Sequence, residues 1–373
     1  MKCSSFGECG SCTLYGMSYE EQLDSKLEKV GGLLSPYYDG EIEIFDSPQS
    51  HYRARAEFRI WHEDGGCGYA MGRRGGKGAV VIEECPKVIV PIERAMESLI
   101  EKINSSDELS YRLFAVEFLS STAGDTLVTM IYHRRLGEEW LQEAVGIEKD
   151  CGLKVIGRSR KQKVVVSDEY IVEELDIDGK LYRYRHYEGG FTQPNPFVNA
   201  KMIGWAMERC RDAEGDLLEA YCGLGNFTIP LSERFDRVLA TEISKNSIRA
   251  AKENRELNGA ENIEFVRMSS EEVVVALEGG REFRRLAGID LDGYDFRTIL
   301  VDPPRAGLDG DTARLASRMD RIVYISCNPV TLARDLDRLS STHRAESAAI
   351  FDQFPYTEHV ECGVVLRRFG GER

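Results

Sequence analysis

Residues Asp216 to Ser232 read DLLEAYCGLGNFTIPLS, and VLATEIS follows from Val238 to Ser244. An apolar run, a turn carrying Gly223 and Gly225, a helix and a second apolar run ending in Glu242 make the opening βαβ unit of a doubly wound sheet. Glycine lets a ligand approach the turn closely, and a carboxylate at the end of the next strand accepts two ribose hydroxyls. The turn lacks the third glycine of a dinucleotide fingerprint, which weakens an NAD reading. The spacing from Gly223 to Glu242 is compatible with S-adenosylmethionine.

Downstream the alternation continues through ENIEFVRM and its helix to FRTILVDPPRAGL (296 to 308) and IVYISCNPVT (322 to 331). Each apolar run ends in a polar residue before proline, Asp302 in one case and Cys327-Asn328 in the other. Such residues lie at the carboxyl ends of parallel strands, where the ligand crevice of this architecture opens. A cysteine there is more often a core thiol than a nucleophile.

Upstream the pattern changes. Residues 18 to 35 predict a short amphipathic helix closed by glycines and Pro36, and residues 87 to 107 and 137 to 150 predict further helices. Between them lie strand-like runs such as HYRARAEFRIWH (51 to 62), YRLFAVEFLS and DTLVTMIYH, an α+β pattern. Arg53, Arg55 and Arg59 share one strand parity, a solvated sheet face or a surface for phosphates. Basic residues recur at Arg134, Arg158 and Arg160, and Tyr182 to Arg185 interleave aromatic and basic side chains, a pairing that stacks bases. The net charge of -15 weighs against nucleic-acid binding by the whole surface, so a basic cluster before residue 190 is what would carry it.

The predicted organisation is a cysteine-bearing leader and helix (1–40), an α+β RNA-binding unit (41–189) and a Rossmann-like α/β unit (190–373). The leader places Cys3, Cys9 and Cys12 in C-x5-C-x2-C spacing, with Cys85-Pro86 as the best fourth ligand and Cys67 as its competitor. Four thiolates hold zinc or an iron–sulfur cluster equally well on spacing alone. Ten cysteines without a secretory signal point to a reducing compartment, and no apolar run suits a membrane span, so a cytoplasmic protein without an evident obligate protein partner is expected.

Asp302-Pro303-Pro304-Arg305, Ser326-Cys327-Asn328-Pro329, FTQPN (191 to 195) and DQFPYTEHVECG (352 to 363) together resemble the uracil-C5 RNA methyltransferases, most closely their tRNA branch. The resemblance implies Cys327 as the nucleophile that adds to uracil C6, Glu361 as the general base at C5 and Asp302 as a positioning group. It implies that Gln193, Tyr221, Gly223, Asn226, Glu242 and Asp302 bind S-adenosylmethionine. The implied partner is the T loop of tRNA, with uridine 54 flipped from its stack, and tRNA-like domains would be further substrates. Related rRNA enzymes carry a similar cysteine leader, so the resemblance also implies a [4Fe–4S] cluster ahead of zinc, and it leaves 23S rRNA as the alternative substrate. An RNA-binding or chaperone module with secondary methyl transfer is the alternative outside enzymology.

Overall fold

The first strand of the GLGN unit has no solvent-facing side. All five residues of Asp216–Ala220 are buried, as expected for a parallel strand covered on both faces. In the computed structural model, which describes residues 1–63 and 65–370, this strand lies inside an eight-stranded sheet. In chain order the strands of the molecule are β1 (Ile42–Phe45), β2 (Arg55–Glu63), β3 (Gly66–Gly72), β4 (Ala79–Ile82), β5 (Leu113–Ser120), β6 (Thr126–Tyr132), β7 (Lys154–Ser159), β8 (Gln162–Val165), β9 (Tyr170–Ile177), β10 (Lys180–Tyr187), β11 (Asp216–Ala220), β12 (Val238–Glu242), β13 (Ile263–Arg267), β14 (Phe296–Val301), β15 (Arg321–Ser326), β16 (His343–Phe351) and β17 (Glu361–Arg368).

The large sheet has the order β1-β16-β17-β15-β14-β11-β12-β13. From β11 the chain winds outward through β12 and β13, then returns to β14 on the other side. The switch point therefore lies between β11 and β14, which pair in parallel. Only β17 runs against its neighbours, antiparallel to both β15 and β16. That reversal brings the first residues of β17 to the carboxyl end of β15, with Ser326 opposite Cys362. This is the doubly wound α/β unit that the GLGN stretch predicts.

A seven-stranded sheet, β4-β3-β2-β5-β6-β7-β8, forms the α+β unit ahead of it. One face packs on the helices Val90–Asn104 and Glu138–Cys151 around Phe58, Phe118, Val128 and Trp140. Two stretches read by sequence with residues 41–189 pack elsewhere. β1 extends the edge of the large sheet through parallel pairing with β16. The β9–β10 hairpin joins the core of the later unit, where Tyr182 and Tyr184 are buried beside Val198 and Phe227. Arg183 and Arg185 meet Glu174 and Glu253. The aromatic–basic alternation here is thus an inside–outside strand pattern, not a base-stacking platform.

Helix Tyr19–Leu34 starts at a capping box between Ser18 and Glu21 and lies near helix Pro329–Leu339 of the large-sheet unit. Among the described residues no helix is long and apolar enough to cross a membrane.

Candidate active site

Three loops at the carboxyl edge of the large sheet, and the segment entering β17, close around a cavity of about 840 Å³. After β11 the chain turns at Tyr221, whose φ of 64° is a left-handed conformation that costs a non-glycine residue energy. Gly223 follows at φ 56°, with open space where a Cβ would lie. Glu242, at the end of β12, accepts hydrogen bonds from the backbone of Gly223 (3.3 Å) and Ser244 (2.7 Å). Asn226 exchanges amide hydrogen bonds with Asn199 at 2.8 and 2.9 Å, which fixes both side chains.

On the other side of the switch point, Asp302 leaves β14 and Cys327 leaves β15. Their loops are tied together: Asn328 Nδ2 donates to the Arg305 carbonyl at 3.0 Å, and Asn328 also caps the helix Pro329–Leu339. Buried Asp335 on that helix anchors the Asp302 loop by accepting from Leu308 N–H and from the Tyr324 hydroxyl, each at 2.8 Å. Glu361 enters beside Cys327 because of the antiparallel β17. Gln193, Tyr221, Gly223, Asn226, Glu242, Asp302, Cys327 and Glu361 all line the one cavity.

The loop before Glu361 rests on a buried polar network. Lys26 Nζ meets Asp352 Oδ1 at 2.6 Å, Tyr19 donates to Asp352 Oδ2 at 2.8 Å, and Gln22 accepts from Tyr356 N–H at 2.8 Å. Asn195 joins through its N–H to Gln353 Oε1 at 3.1 Å, so the FTQPN and DQFPY segments hold each other.

Within the cavity the electrostatics differ. Burial pushes the Glu361 carboxyl up to about 8, with Asp302 adding repulsion and Arg305 opposing it. Burial likewise raises Asp302 to about 7 and Glu219 to about 8. The Cys327 thiol is pushed up to about 11, first by burial, then by the charges of Glu361 and Asp302. The adjoining helix N-terminus favours a thiolate, but desolvation outweighs it. Three carboxyls and a thiol are thus held towards their neutral forms beside a glycine turn, an arrangement suited to proton transfer.

The description tRNA (Uracil-5-)-methyltransferase fits this chain by a family match over residues 18–369. The chain belongs to that family. It is 62% identical over 370 residues to a tRNA/tmRNA (uracil-C(5))-methyltransferase of a Sulfurovum species, covering 99% of this chain and 100% of that protein. A protein of the same name from a Nitratiruptor species is 55% identical over 371 residues, covering 99% and 100%. The fold is that of a Pyrococcus abyssi tRNA (uracil-54, C5)-methyltransferase solved with S-adenosyl-L-homocysteine, at TM-score 0.73 and 24% identity over 96% of this chain and 86% of that one. The protein is an S-adenosylmethionine-dependent tRNA uracil-5-methyltransferase.

In this methyltransferase the expected [4Fe–4S] cluster, and with it zinc or any metal-binding role for Cys3, Cys9, Cys12 and Cys85, does not hold. Among the described residues no group of three or more His, Cys, Asp or Glu could hold a metal ion. The four cysteines do line a common small cavity of about 20 Å³, which Met1, Phe6, Met71 and Ile82 share. Burial is the leading influence on three of them, raising Cys3 and Cys12 and pushing Cys85 to about 11, and so favours neutral thiols over the thiolates that bind metals. Cys67 stands apart, with Sγ 3.2 Å from His62 Nδ1.

The arginines divide. Arg53 and Arg55 line the same cavity as Cys327 and Glu361, Arg55 also paired with Glu117. Arg59 is exposed on the sheet face. Arg134 and Arg160 line a separate groove of about 710 Å³ with His133, Arg135 and Lys161, and Arg134 is held by Glu108. Arg158 lies in neither, bound to Glu188 at 2.5 Å. Glu219, Arg305 and His359 also line the cavity of Cys327 and Glu361, and none was given a role from the sequence. Glu219 lies inside the first strand, Asp216–Ala220, and a carboxylate within that apolar run was itself the signal, because burying one is costly.

Proposed function

We propose that this enzyme makes 5-methyluridine at the T-loop uridine, position 54, of tRNA, and acts on tRNA-like domains such as that of tmRNA, through a covalent adduct on Cys327. The observation that carries the reading is the meeting of Cys327, Asp302 and Glu361 in one cavity with the glycine turn and Glu242. The fit to S-adenosylmethionine rests on the open space at Gly223 and on the Glu242 carboxylate held against the turn by the Gly223 N–H at 3.3 Å. Bound there, it supplies a methyl group on a sulfonium.

Cys327 Sγ, once deprotonated, bonds to uracil C6, and the C5–C6 electron pair moves to C5. C5 takes the methyl group as the sulfonium bond breaks. Glu361 removes the C5 proton, C5=C6 re-forms and the S–C6 bond breaks, returning Cys327. The raised affinity of Glu361 for a proton suits a base that must take one from carbon. Asp302 orients the uracil edge, and Gln193, Tyr221, Asn226 and Glu242 hold the methyl donor.

A uridine reaches this depth only out of its stack, so the RNA presents a flipped base. In this reading the seven-stranded sheet of the α+β unit faces the RNA, residues 190–373 hold the chemistry with β1 and the β9–β10 hairpin packed on them, and residues 1–40 bridge the two. Support comes from Arg53 and Arg55 at the cavity, from Phe191, 71% exposed on its wall, and from Phe114 stacked on His133 beside Arg134 and Arg160. Incubation of a T-loop hairpin containing 5-fluorouridine with enzyme and S-adenosylmethionine tests the reading. A denaturant-stable protein–RNA complex with wild type and none with Cys327→Ala is expected; equal complex with both would remove Cys327 from the mechanism.

A further inference from the structure

Among the described residues about half of the lysines and arginines pair with a neighbouring carboxylate, as Lys26 does with Asp352 and Arg55 with Glu117. Arg53, Lys87 and Arg305 are different: among the described residues none of them makes an ion pair, although all border the site. Lys87 is the extreme case. It is only 9% exposed, and its ammonium, with three protons to donate, reaches only the Ser11 hydroxyl. A buried ammonium without a counter-charge carries a desolvation cost that a ligand's anionic group would offset.

Lys87 opens onto a groove of about 560 Å³ whose wall includes Ser11, Thr13, Arg53, Phe354 and His359. Arg53, Phe354 and His359 also line the catalytic cavity, so the two spaces adjoin. The leader builds the outer wall. It is fastened by Gly10 N–H to the Gly72 carbonyl at 2.8 Å and by Leu14 N–H to the Tyr356 carbonyl at 3.0 Å. His359 Nδ1 lies 3.0 Å from the Arg305 guanidinium, which can only donate, so the proton of the neutral ring is on Nε2 as a further donor. Glu358 is the one carboxylate of the lining, and it is exposed.

A nucleotide extruded into the catalytic cavity drags its two phosphodiesters to the rim. We propose that the groove between the leader and Lys87 binds the RNA strand beside the flipped nucleotide, with Lys87 and Arg53 contacting a phosphate. The inference rests on the T-loop reading above and adds to it a phosphate subsite that the leader completes.

The test uses the full-length enzyme and a T-loop RNA hairpin, with binding measured by fluorescence anisotropy over a range of salt. Lys87→Met, which keeps the length of the stem, is expected to weaken binding about tenfold at low salt, and to lower the slope of log Kd against log salt by about 0.7 for one lost single-strand contact. Lys87→Arg should restore both, and S-adenosylmethionine binding should not move. Hairpins with one neutral methylphosphonate on either side of the target uridine complete the cycle. One of them should bind wild type about tenfold more weakly, yet lose nothing further on Lys87→Met. Identical salt slopes for wild type and Lys87→Met would overturn the proposal. Wild-type indifference to both methylphosphonates would do so alone, whatever the stability of the variants. Failure of the T-loop reading is separately visible, because wild type would then not methylate the unmodified hairpin.

Discussion

Two carboxylates nine residues apart, Asp352 and Glu361, sit at the two ends of one loop, 2% and 5% exposed. Asp352 has the Lys26 ammonium at 2.6 Å and the Tyr19 hydroxyl at 2.8 Å. Glu361 shares its surroundings with Asp302 and Cys327, and Arg305 is the only cation among the causes of its shift. Both groups are buried at similar cost, and only one is compensated. A buried carboxylate with a cation and a hydroxyl is scaffold, since breaking the pair strands a charge. One left among like charges weakens the fold and persists where chemistry needs a proton acceptor.

The contrast breaks most severely at Cys327. Cys327→Ala should lower methylation at least about 10⁴-fold, as loss of a covalent nucleophile does, while S-adenosylmethionine binding and the melting temperature stay near wild type. A large fall in melting temperature would instead assign the thiol to the core. Glu361→Gln comes next. A methylated adduct should form and then persist, so a labelled methyl group remains on a protein–RNA complex, with turnover down about 10²- to 10⁴-fold. Loss of adduct formation itself would place Glu361 earlier in the reaction than the C5 proton.

On the scaffold side the readout changes from turnover to stability. Lys26→Met leaves Asp352 buried without its cation, and should cost about 3–5 kcal/mol in equilibrium denaturation. Rate per folded molecule should fall far less than it does for Cys327→Ala. An unchanged denaturation midpoint would mean that water replaces the ammonium and that the network is not the support of the loop.

How much of this was legible from sequence follows the range of the interactions. The turn at Gly223, the strand ends at Glu242, Asp302 and Cys327, and the helix at residues 18 to 35 are local patterns, and they reappear as β11 to β15 and helix Tyr19–Leu34. That Glu361 lies by Cys327 depends on the antiparallel register of β17, with Ser326 opposite Cys362 across 36 residues of chain. Periodicity carries no register between distant strands, so only the resemblance paired those residues. β1 had the same difficulty, since its partner β16 begins about 300 residues later. The cysteine leader failed in another way. Spacing gave the right neighbours, which share a cavity, but not the burial that favours the neutral thiols of Cys3, Cys12 and Cys85.

Glu219 gives the smallest effect and the finest division between the two regions. Its Oε2 is buried with no hydrogen-bond partner, and burial raises the carboxyl from 4.5 to about 8. Between those two values the folded protein holds a proton that the unfolded chain has lost. Stability must therefore fall as pH rises through that window, by up to about 1.4 kcal/mol per unit for one such group. Glu361, raised to about 8 as well, contributes a slope of the same sign. Asp302, raised to about 7, adds a third slope of that sign. Glu219→Gln removes one of the three, so urea denaturation should show a flatter decline from pH 5 to pH 8 and a gain of about 1–3 kcal/mol over wild type at the upper end. Asp352→Asn, which removes a compensated charge, should lose stability at both ends. A Glu219→Gln variant that is less stable than wild type at pH 8 would show a partner that this carboxylate has in solution, and would move it from the reactive region to the scaffold.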